Sequence, residues 1–379
     1  MTEIKNLKKA AKRILKAVKN KEKIILYGDA DLDGVASVVI LKETIQNLGG
    51  QISAVFFPNR ENDGYGITEK ALDQLKDITP SLLISLDLGI GNFKEVRLAK
   101  KRGFEIVIID HHQILGRLPE ASVVVDPKQK GDKYPFKGLA TAGIIFKLSQ
   151  VLLGEKPSGN LKNSFLELTA LATLADMMPQ EEDNKVFIEE GLSVFPNTFR
   201  PGLRAFFEIL GDSRGNLQKI IAALNTCEII DNINQVYLLL ITPSFEEAKK
   251  IAQNLIDRAD KKQFQVKEMV RAVERKIAAK LTEAIIFEGD SSWPLILAGS
   301  VASILSQKYG KPAFIFKKGE SESYGSVRVS KELNSVDAMN SCKNLLITYG
   351  GHPPASGFRV KNENLEQFKK CLTKYFIKP

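Results

Sequence analysis

The sequence predicts an α/β protein with a parallel-sheet N-terminal domain, a long helical connector and a smaller α/β C-terminal domain. In the first 130 residues, short aliphatic runs alternate with helix-period stretches. Near-continuous apolar strands joined by helical crossovers are typical of a parallel sheet that is covered on both faces. A second, shorter alternation of the same kind starts near Ala284, and helical patterns dominate between the two.

The N-terminal sheet is predicted from short aliphatic runs bounded by turn residues. The runs are Lys23–Tyr27, Ile52–Phe57, Leu82–Leu86, Glu105–Ile109 and Ser122–Val125. Helix-period stretches separate the early runs at Gly34–Leu48, Thr68–Leu75 and Asn92–Lys101. These connections are long enough for the crossover helices that parallel strands require.

Helical patterns continue from Thr141 to about Glu283. The stretch Ser244–Leu281 is charged and free of Gly and Pro, which predicts a long connecting helix. Beyond it, strands are predicted at Ala284–Phe287, Leu295–Leu297 and Ala313–Phe316, with a helix at Ser300–Tyr309. We therefore expect three parts, namely residues 1–200, 201–283 and 284–379.

The chain is basic, with a net charge of +9 and a pI near 9.2. Such a balance favours a polyanionic partner, because Lys and Arg contacts to phosphates release counterions. Several lysines of the first 23 residues have a simpler explanation, since they fit the outer, solvated face of an amphipathic helix. They are Lys5, Lys8, Lys9, Lys12, Lys16 and Lys19.

Composition and cysteine usage bear on the compartment. The chain is 44% apolar and 26% charged, as in an ordinary soluble protein. No apolar run approaches the roughly 18 residues that span a membrane, and residues 4–18 lack the apolar core of a secretory signal. Cys227, Cys342 and Cys371 are odd in number, far apart and without metal-type spacing. We therefore expect a cytoplasmic protein without a membrane partner.

The three histidines of the chain lie in two short motifs, Asp110-His111-His112 and Gly350-Gly351-His352. Imidazole titrates near neutrality and ligates transition metals. A lone histidine is more often a hydrogen-bonded core or surface residue. Here neighbouring carboxylates favour chemistry over packing.

Several predicted strands run directly into acids. KIILYG leads into Asp29, Asp31 and Asp33, LLISL leads into Asp87, and EIVII leads into Asp110. Since open parallel sheets bind ligands at the carboxyl ends of their strands, these side chains are expected to converge on one rim. So many carboxylates cannot all ionise without a compensating charge, and a divalent metal is its simplest source.

A further acid, Asp176, ends an apolar helical run before Pro179, in the segment ELTALATLADMMP. A mixed shell of carboxylate and imidazole suits Mn²⁺ better than the all-oxygen shell of Mg²⁺ or the thiolate-rich shell of structural zinc. Two such ions activate a water molecule and hold phosphoryl oxygens during hydrolysis.

These motifs resemble those of the DHH phosphoesterases: GDADLDG, the acid in SLDLG, DHH and ADMMP. GSVRV and GGHPPASGF resemble the DHH-associated C-terminal domain of the same superfamily. Within it, Pro58–Arg60, Arg200–Phe206 and Trp293–Ser303 are most similar to RecJ-type exonucleases, which are specific for single strands. The resemblance extends from Tyr27 to Phe358 and implies a DHH catalytic domain followed by a smaller DHH-associated domain.

The resemblance also implies a metal centre that holds two Mn²⁺ ions, with Mg²⁺ as the alternative. The implied ligands are Asp31, Asp33, Asp87, His111 and Asp176, with Asp29 beside them. The triplet Asp110, His111 and His112 is expected to be catalytic, and His112 to contact the scissile phosphate or to assist proton transfer.

Substrate contacts are implied at both ends of the chain. The residues are Arg60, Asn225, Ser326, Arg328, Gly350, Gly351 and His352. The chemistry is sensible, because a guanidinium can hold a phosphate through two donors and adjacent glycines allow close backbone approach.

The chain departs from the RecJ pattern in three places. AALNTCEI retains Asn225 but has Ala223 and Ile229 where basic residues are expected. Pro294 replaces a histidine. The printed sequence ends soon after Phe358, so a short form without the OB-fold that grips single strands is expected.

We therefore expect a metal-dependent phosphodiesterase that degrades single-stranded DNA from the 5′ end, in repair or recombination. One alternative is an enzyme resembling nanoRNases or 3′-phosphoadenosine-nucleotide phosphatases that acts on short oligonucleotides. Another is a catalytically idle nucleic-acid-binding scaffold. A pyrophosphatase is disfavoured by the basic second domain. An accessory DNA-binding protein is compatible with each nucleic-acid function.

Overall fold

The computed structural model of the chain describes residues 3–60, 63–114, 116–154, 158–211, 215–230, 233–278 and 282–377. It divides into two compact units, Met1–Ala259 and Asp260–Pro379, which we call the first and the second unit. The long helix α11, Phe245–Ile277, contains the point of division. The three-part division expected from the sequence stays a prediction.

The first unit is built on a parallel sheet. Its strands are β1 (Ile24–Gly28), β2 (Ala54–Phe56), β3 (Ser81–Leu86), β4 (Phe104–Ile109) and β5 (Val123–Val125). They lie in the order β2-β1-β3-β4-β5, and each neighbouring pair is parallel. This confirms the predicted fold class of the N-terminal region.

Helices cover both faces of this sheet. Those of the first unit are α1 (Leu7–Lys19), α2 (Leu32–Asn47), α3 (Glu69–Gln74), α4 (Phe93–Lys101), α5 (Thr141–Leu153), α6 (Gly159–Ala175), α7 (Glu182–Val194), α8 (Pro201–Leu210), α9 (Leu217–Leu224) and α10 (Gln235–Ile241). A short hairpin, β6 (Ile229–Ile230) and β7 (Ile233–Asn234), precedes α10. Alternate residues of β1 enter different cores, with Ile24 and Leu26 packing in one and Ile25 and Tyr27 in the other. Because successive side chains of a strand point to opposite faces and both faces are buried, successive positions of the strand are apolar.

The second unit contains a smaller, mixed sheet, as the predicted fold class requires. Its strands are β8 (Ile286–Asp290), β9 (Ala313–Lys318), β10 (Glu322–Arg328), β11 (Leu346–His352) and β12 (Ala355–Lys361). The order is β11-β12-β10-β9-β8; only the β8–β9 pair is parallel among the strands described. The helices are α12 (Leu295–Tyr309), α13 (Ser335–Ser341) and α14 (Leu365–Ile377).

The strand predicted at Leu295–Leu297 is wrong, because these residues form the first turn of α12. A run of three aliphatic residues does not by itself distinguish a strand from a buried helical turn. Pro294 is the N-cap of this helix, and Leu297, Val301 and Leu305 recur at helical spacing on its buried face.

Cys342 and Cys371 form a disulfide that links the end of α13 to α14. They are 29 residues apart in the sequence, and their separation did not predict the pairing. In the described part of the chain, no helix has both the length and the apolar character needed to cross a membrane.

Candidate metal centre

Acidic side chains follow three neighbouring strands of the first-unit sheet: Asp29 follows β1, Asp87 follows β3 and Asp110 follows β4. All three are buried. Their backbone continues the sheet, since the N–H of Asp29 donates to the carbonyl of Leu86 (3.1 Å) and that of Asp87 to the carbonyl of Ile109 (3.0 Å). The carboxylates therefore leave the sheet side by side at the carboxyl ends of the strands, where the sequence places them.

Two further acids lie at the start of α2. Asp31 is the N-cap of this helix and accepts a hydrogen bond from the N–H of Gly34 (3.2 Å). Asp33 accepts hydrogen bonds from the N–H groups of Thr141 and Ala142, both at 2.8 Å. Because Thr141 begins α5, the Asp33 carboxylate also meets the positive end of a second helix dipole. Asp33 is thus held between two helices.

His111 is buried against three of the predicted ligands. Its Nδ1 lies 2.9 Å from the carbonyl oxygen of Leu139, which can only accept, so Nδ1 carries the proton. The Nε2 atom lies 3.2 Å from Asp87 Oδ1, 3.4 Å from Asp176 Oδ2 and 3.7 Å from Asp33 Oδ2. Asp176 Oδ2 is buried and accepts no hydrogen bond from the residues described. A ring nitrogen lone pair that faces carboxylate oxygens is unfavourable unless a cation lies among them.

The pKa values of the clustered acids and of His111 also favour the binding of a cation. Burial, and then repulsion by Asp33 and Asp31, raises the pKa of Asp87 and of Asp176 well above the ordinary value. Burial and the charge of Asp31 raise the pKa of Asp33 to about 7. Burial lowers the pKa of His111 well below its usual range, so its ring is neutral. Acids that resist ionisation and a neutral imidazole become a favourable set when a divalent cation binds.

The donor atoms are close enough to hold such ions. Ligand atoms of Asp33, Asp87 and His111 lie within 4.8 Å of one another, and so do those of Asp29, Asp31 and Asp87. Asp87 belongs to both groups. A mixed carboxylate and imidazole set suits Mn²⁺. The residues therefore fit the metal group that the sequence resemblance implies.

Arg60 supplies a cation to one side of the cluster. Its Nε donates to Asp29 Oδ1 (3.0 Å), and its Nη2 donates to Asp29 Oδ2 and Asp31 Oδ2, both at 2.7 Å. Burial acts to raise the pKa of Asp31, but the Arg60 guanidinium lowers it below the ordinary value. The exposed ring of Tyr65 lies 5.0 Å from the guanidinium carbon. The predicted role of Arg60 as a substrate contact stays a prediction.

Asp110 holds the imidazole ring of His112 through a hydrogen bond. Asp110 Oδ1 lies 2.8 Å from His112 Nδ1 and accepts the backbone N–H groups of His111 (2.7 Å) and His112 (3.1 Å). Its other oxygen accepts the N–H of Ile90 (3.0 Å). Burial acts to lower the pKa of His112, but the Asp110 carboxylate raises it to about 9. At neutral pH the two residues therefore form an imidazolium–carboxylate pair.

Two residues of this site were not identified from the sequence. Thr141 Oγ1 donates to Asp87 Oδ1 (2.9 Å), in addition to its backbone contact with Asp33. Lys128 Nζ donates to the backbone carbonyl of His111. Burial lowers the pKa of this lysine. Lys128 follows β5 by three residues, and this position at the end of a strand was the feature of the sequence that could have identified it.

Asn225 lies beside the start of α2, where its Oδ1 accepts the N–H of Leu32 (3.2 Å). Ala223 is buried in α9, and Ile229 begins β6. The two positions where basic residues were expected thus contribute no charge. The predicted contact of Asn225 with substrate stays a prediction.

The predicted substrate residues of the second unit lie on neighbouring strands. The registered rows across β11, β12 and β10 are His352–Ala355–Arg328, Gly351–Ser356–Val327 and Gly350–Gly357–Ser326. Because alternate residues of a strand face the same side, Ser326, Arg328 and His352 share one face of the sheet. A Cβ atom at Gly299 of α12 would lie 3.0 Å from Arg328 Nη2, so this glycine permits the close approach of the guanidinium. Their contacts with substrate stay predictions.

Comparison with known proteins identifies two domains in the chain. Residues 23–173 match the DHH family, N-terminal domain, and residues 277–378 match the DHHA1 domain. The single-stranded-DNA-specific exonuclease RecJ of Bacillus subtilis (strain 168) is 32% identical over 98% of this chain and 48% of the relative. The chain thus spans about half the length of this curated relative.

Solved structures show the same architecture. A crystal structure of exonuclease RecJ bound to manganese has a TM-score of 0.78 and 26% identity, and the match covers 100% of this chain and 96% of that one. RecJ of Thermus thermophilus in complex with Mn²⁺ has a TM-score of 0.81 and 25% identity over 98% of this chain and 55% of that one.

The resemblance seen in the sequence motifs is therefore confirmed. The matched DHH and DHHA1 domains and the similarity along nearly the whole chain agree with the rim of carboxylates around His111. Residues 23–173 therefore form a DHH-family N-terminal domain, residues 277–378 form a DHHA1 domain, and the chain is similar to the RecJ exonucleases.

Proposed function

We propose that this chain is a metal-dependent phosphodiesterase that hydrolyses single-stranded DNA from the 5′ end, as its RecJ-like sequence implies. The observation that carries the proposal is the contact of His111 Nε2 with the carboxylates of Asp33, Asp87 and Asp176. A buried neutral imidazole among three acids is a metal-ligand set rather than a structural ion pair. The names of the similar exonucleases supply the substrate class.

The proposed ligands are Asp33, Asp87, His111 and Asp176, with Asp31 and Asp29 next to them. We propose Mn²⁺ as the natural ion and Mg²⁺ as a substitute, in keeping with solved RecJ structures that contain either one. When bound, such ions polarise the phosphoryl oxygens and lower the pKa of a coordinated water molecule. The hydrogen bonds from Thr141 to Asp33 and Asp87 orient the two carboxylates for this role.

His112 is the proposed partner of the scissile phosphate. Its protonated ring is held through Nδ1 by Asp110, and the proposed role of Nε2 is to donate to a phosphoryl oxygen or to the leaving oxygen. Asp110 is itself fixed by three backbone N–H donors, from Ile90, His111 and His112. The pair therefore presents a proton donor in a defined direction.

The second unit is proposed to bind phosphate and sugar groups of the strand. Arg328 and His352 lie in one row of the sheet with Ser326 on the same face. These are three polar side chains of the kind that hold phosphates. A DNA substrate is consistent with the cytoplasmic location expected from the sequence, and an accessory DNA-binding protein is compatible with the proposal.

A second candidate function is hydrolysis of short oligonucleotides, and one observation favours it. Ala223 and Ile229 contribute no charge beside Asn225, where two basic residues were expected. Fewer phosphate contacts reduce the advantage of a long strand. A scaffold without turnover is disfavoured by the intact ligand set.

Digestion of end-labelled DNA and RNA strands of graded length, with Mn²⁺ or with EDTA, tests the proposal. We expect Mn²⁺-dependent release of nucleotides from the 5′ end of single-stranded DNA, and little cleavage of duplex. Faster turnover of strands of a few nucleotides than of long ones would support the second candidate. Nucleotide release from the 3′ end, or no hydrolysis under any of these conditions, would refute the proposed function.

A further inference from the structure

The two sides of the acid cluster differ in how their charge is balanced. On one side, Asp33, Asp87 and Asp176 face the Nε2 atom of His111 at 3.7, 3.2 and 3.4 Å. Their hydrogen bonds come from uncharged donors, two backbone N–H groups and one hydroxyl. No guanidinium or ammonium group donates to these three acids among the described contacts, and the nearest cationic side chain, His112, lies 4.0 Å from Asp87 Oδ1.

On the other side, Arg60 already neutralises the acids. Asp29 Oδ1 accepts from Arg60 Nε and from the N–H of Ala30 (2.7 Å), while Asp29 Oδ2 accepts from Arg60 Nη2. Asp31 Oδ1 accepts from the N–H of Gly34, and Asp31 Oδ2 accepts from the same Nη2 atom. All four carboxylate oxygens of Asp29 and Asp31 therefore accept hydrogen bonds. Three of them accept from the Arg60 guanidinium.

A cation that binds to Asp29, Asp31 and Asp87 must compete with this guanidinium. The ligand atoms of these three acids lie within 4.8 Å of one another, and Nη2 of Arg60 lies 2.7 Å from an oxygen of Asp29 and of Asp31. An ion that binds Asp29 Oδ2 and Asp31 Oδ2 would lie close to Nη2, which donates to both atoms at 2.7 Å, and the two positive charges would repel each other. The side chain of Arg60 is 24% exposed, so it has solvent to move into.

We infer that Arg60 is an internal counter-ion that must leave Asp31 before a second divalent cation binds. The two ions of the proposed centre then load in order, first beside His111 and then in place of the guanidinium. The displaced Arg60, next to the exposed ring of Tyr65, becomes available to a substrate phosphate. This inference rests on the metal centre of the proposed function, but it concerns binding and not turnover.

Equilibrium binding of Mn²⁺ tests the inference, by calorimetry and by the EPR signal of free Mn²⁺. The wild-type chain is expected to show one tight and one weak binding event. In Arg60→Gln the weak event should tighten by about tenfold or more, because a fixed positive charge no longer competes with the ion. The tight event should change little. Arg60→Lys, which keeps the charge, should fall between the two.

The matched control is Arg102→Gln. Arg102 has the same side-chain exposure, 24%, and also pairs with two carboxylates, those of Glu69 and Asp73, away from the cluster. Its substitution should leave both Mn²⁺ constants unchanged, and melting curves should show that all variants are folded.

Equal or weaker second-ion binding in Arg60→Gln would overturn the inference, and so would a single binding event in both proteins. Failure of the proposed function has a different signature. A chain that binds Mn²⁺ as described but hydrolyses no nucleic acid refutes the function and leaves the role of Arg60 standing. Hydrolysis with unaltered constants in the variant refutes only the role of Arg60.

Discussion

Asp110 and His112 form an ion pair in which the acid is buried and the base is partly exposed. The Nδ1 atom lies 2.8 Å from Asp110 Oδ1, and the side chain of His112 is 33% exposed while that of Asp110 is 1% exposed. The buried carboxylate of Asp110 thus anchors an imidazole ring that is partly open to solvent. A purely structural pair would not need the exposed partner, so the arrangement favours a role in chemistry.

Replacement of His112 by Ala tests that role. We expect kcat to fall by about 10²–10⁴, the usual contribution of a positioned acid or base. Asp110 keeps its backbone donors from Ile90 and His111 but loses its cationic partner, so the melting temperature should fall and kcat is compared below the transition of the variant. Mn²⁺ binding serves as the control and should be retained. A kcat within a few-fold of wild type would exclude a catalytic role for His112.

Asp87 is the acid shared by both groups of candidate ligands, and Asp87→Asn tests the metal site. Asparagine is preferred to alanine because φ at this residue is +64°, a region that Asn tolerates well. Without metal, the variant should melt at or above the wild-type temperature, because one of several repelling carboxyl groups is gone. Activity should fall by at least about 100-fold.

Thermal unfolding with EDTA and with Mn²⁺ measures the other half of this prediction. Wild type at a hundred times the Mn²⁺ dissociation constant should gain about 2.7 kcal/mol of unfolding free energy, and Asp87→Asn should lose most of that gain. A full Mn²⁺ shift in the variant would remove Asp87 from the ligand set.

The strand-end acids could be predicted from the sequence because they depend on local pattern. Apolar runs ending in Asp29, Asp87 and Asp110 predict parallel strands, and parallel strands bring their carboxyl ends together. The metal-type chemistry followed from residue types alone. This part of the site was therefore accessible without coordinates.

The supporting contacts were not accessible, because they join distant segments through side-chain packing. Thr141 is 108 residues from Asp33 and 54 from Asp87, and no motif links them. Arg60 was assigned to substrate by resemblance, whereas its hydrogen bonds to Asp29 and Asp31 depend on how a loop packs against α2. Contacts of this kind depend on tertiary structure, so the periodic pattern of the sequence does not predict them.

Glu167 gives the chain a pH-dependent stability that is separate from the metal centre. It is 2% exposed, and its Oε1 accepts a hydrogen bond from Thr198 (2.9 Å) and lies 3.6 Å from Arg200 Nε. Burial raises its pKa from 4.5 to about 7, against the opposing effects of Thr198 and Arg200. The folded chain therefore holds this proton at a pH where the unfolded chain has released it.

The sign of the effect follows from this difference. The contribution of Glu167 to stability is full below pH 4.5 and is lost as the pH rises through about 7. The difference between 4.5 and about 7 corresponds to a loss of about 3 kcal/mol of unfolding free energy. Glu167→Gln cannot ionise, and Arg200 keeps its contact with Glu43 (2.7 Å). In urea unfolding, the free energy of unfolding of the variant relative to that of wild type should rise from pH 5 to pH 8. The same pH dependence in both proteins would show that Glu167 does not have a raised pKa.

The disulfide between Cys342 and Cys371 is expected to stabilise the second unit. It closes a loop across 29 residues, for which about 2–4 kcal/mol of unfolding free energy is typical. Reduction with dithiothreitol should lower the melting temperature of wild type. The double variant Cys342→Ala/Cys371→Ala should melt lower and be insensitive to reductant. Equal sensitivity in both proteins would assign the effect of reductant to something other than this bond.

Arg328 is predicted to hold a substrate phosphate, and an arginine on the neighbouring strand of the same sheet provides a control. Arg328→Ala should raise KM by about 10- to 100-fold, since a hydrogen bond to a charged group contributes about 1.5–3 kcal/mol. It should also reduce the salt slope of DNA binding by about one phosphate contact, with Mn²⁺ binding unchanged. Arg359 lies on the neighbouring strand, opposite Tyr324, and is neutralised by Glu322. Arg359→Ala should therefore keep the wild-type KM and salt slope, because its charge is already paired. If Arg328→Ala has the same KM and salt slope as Arg359→Ala, Arg328 does not hold a substrate phosphate and its role in β10 is structural.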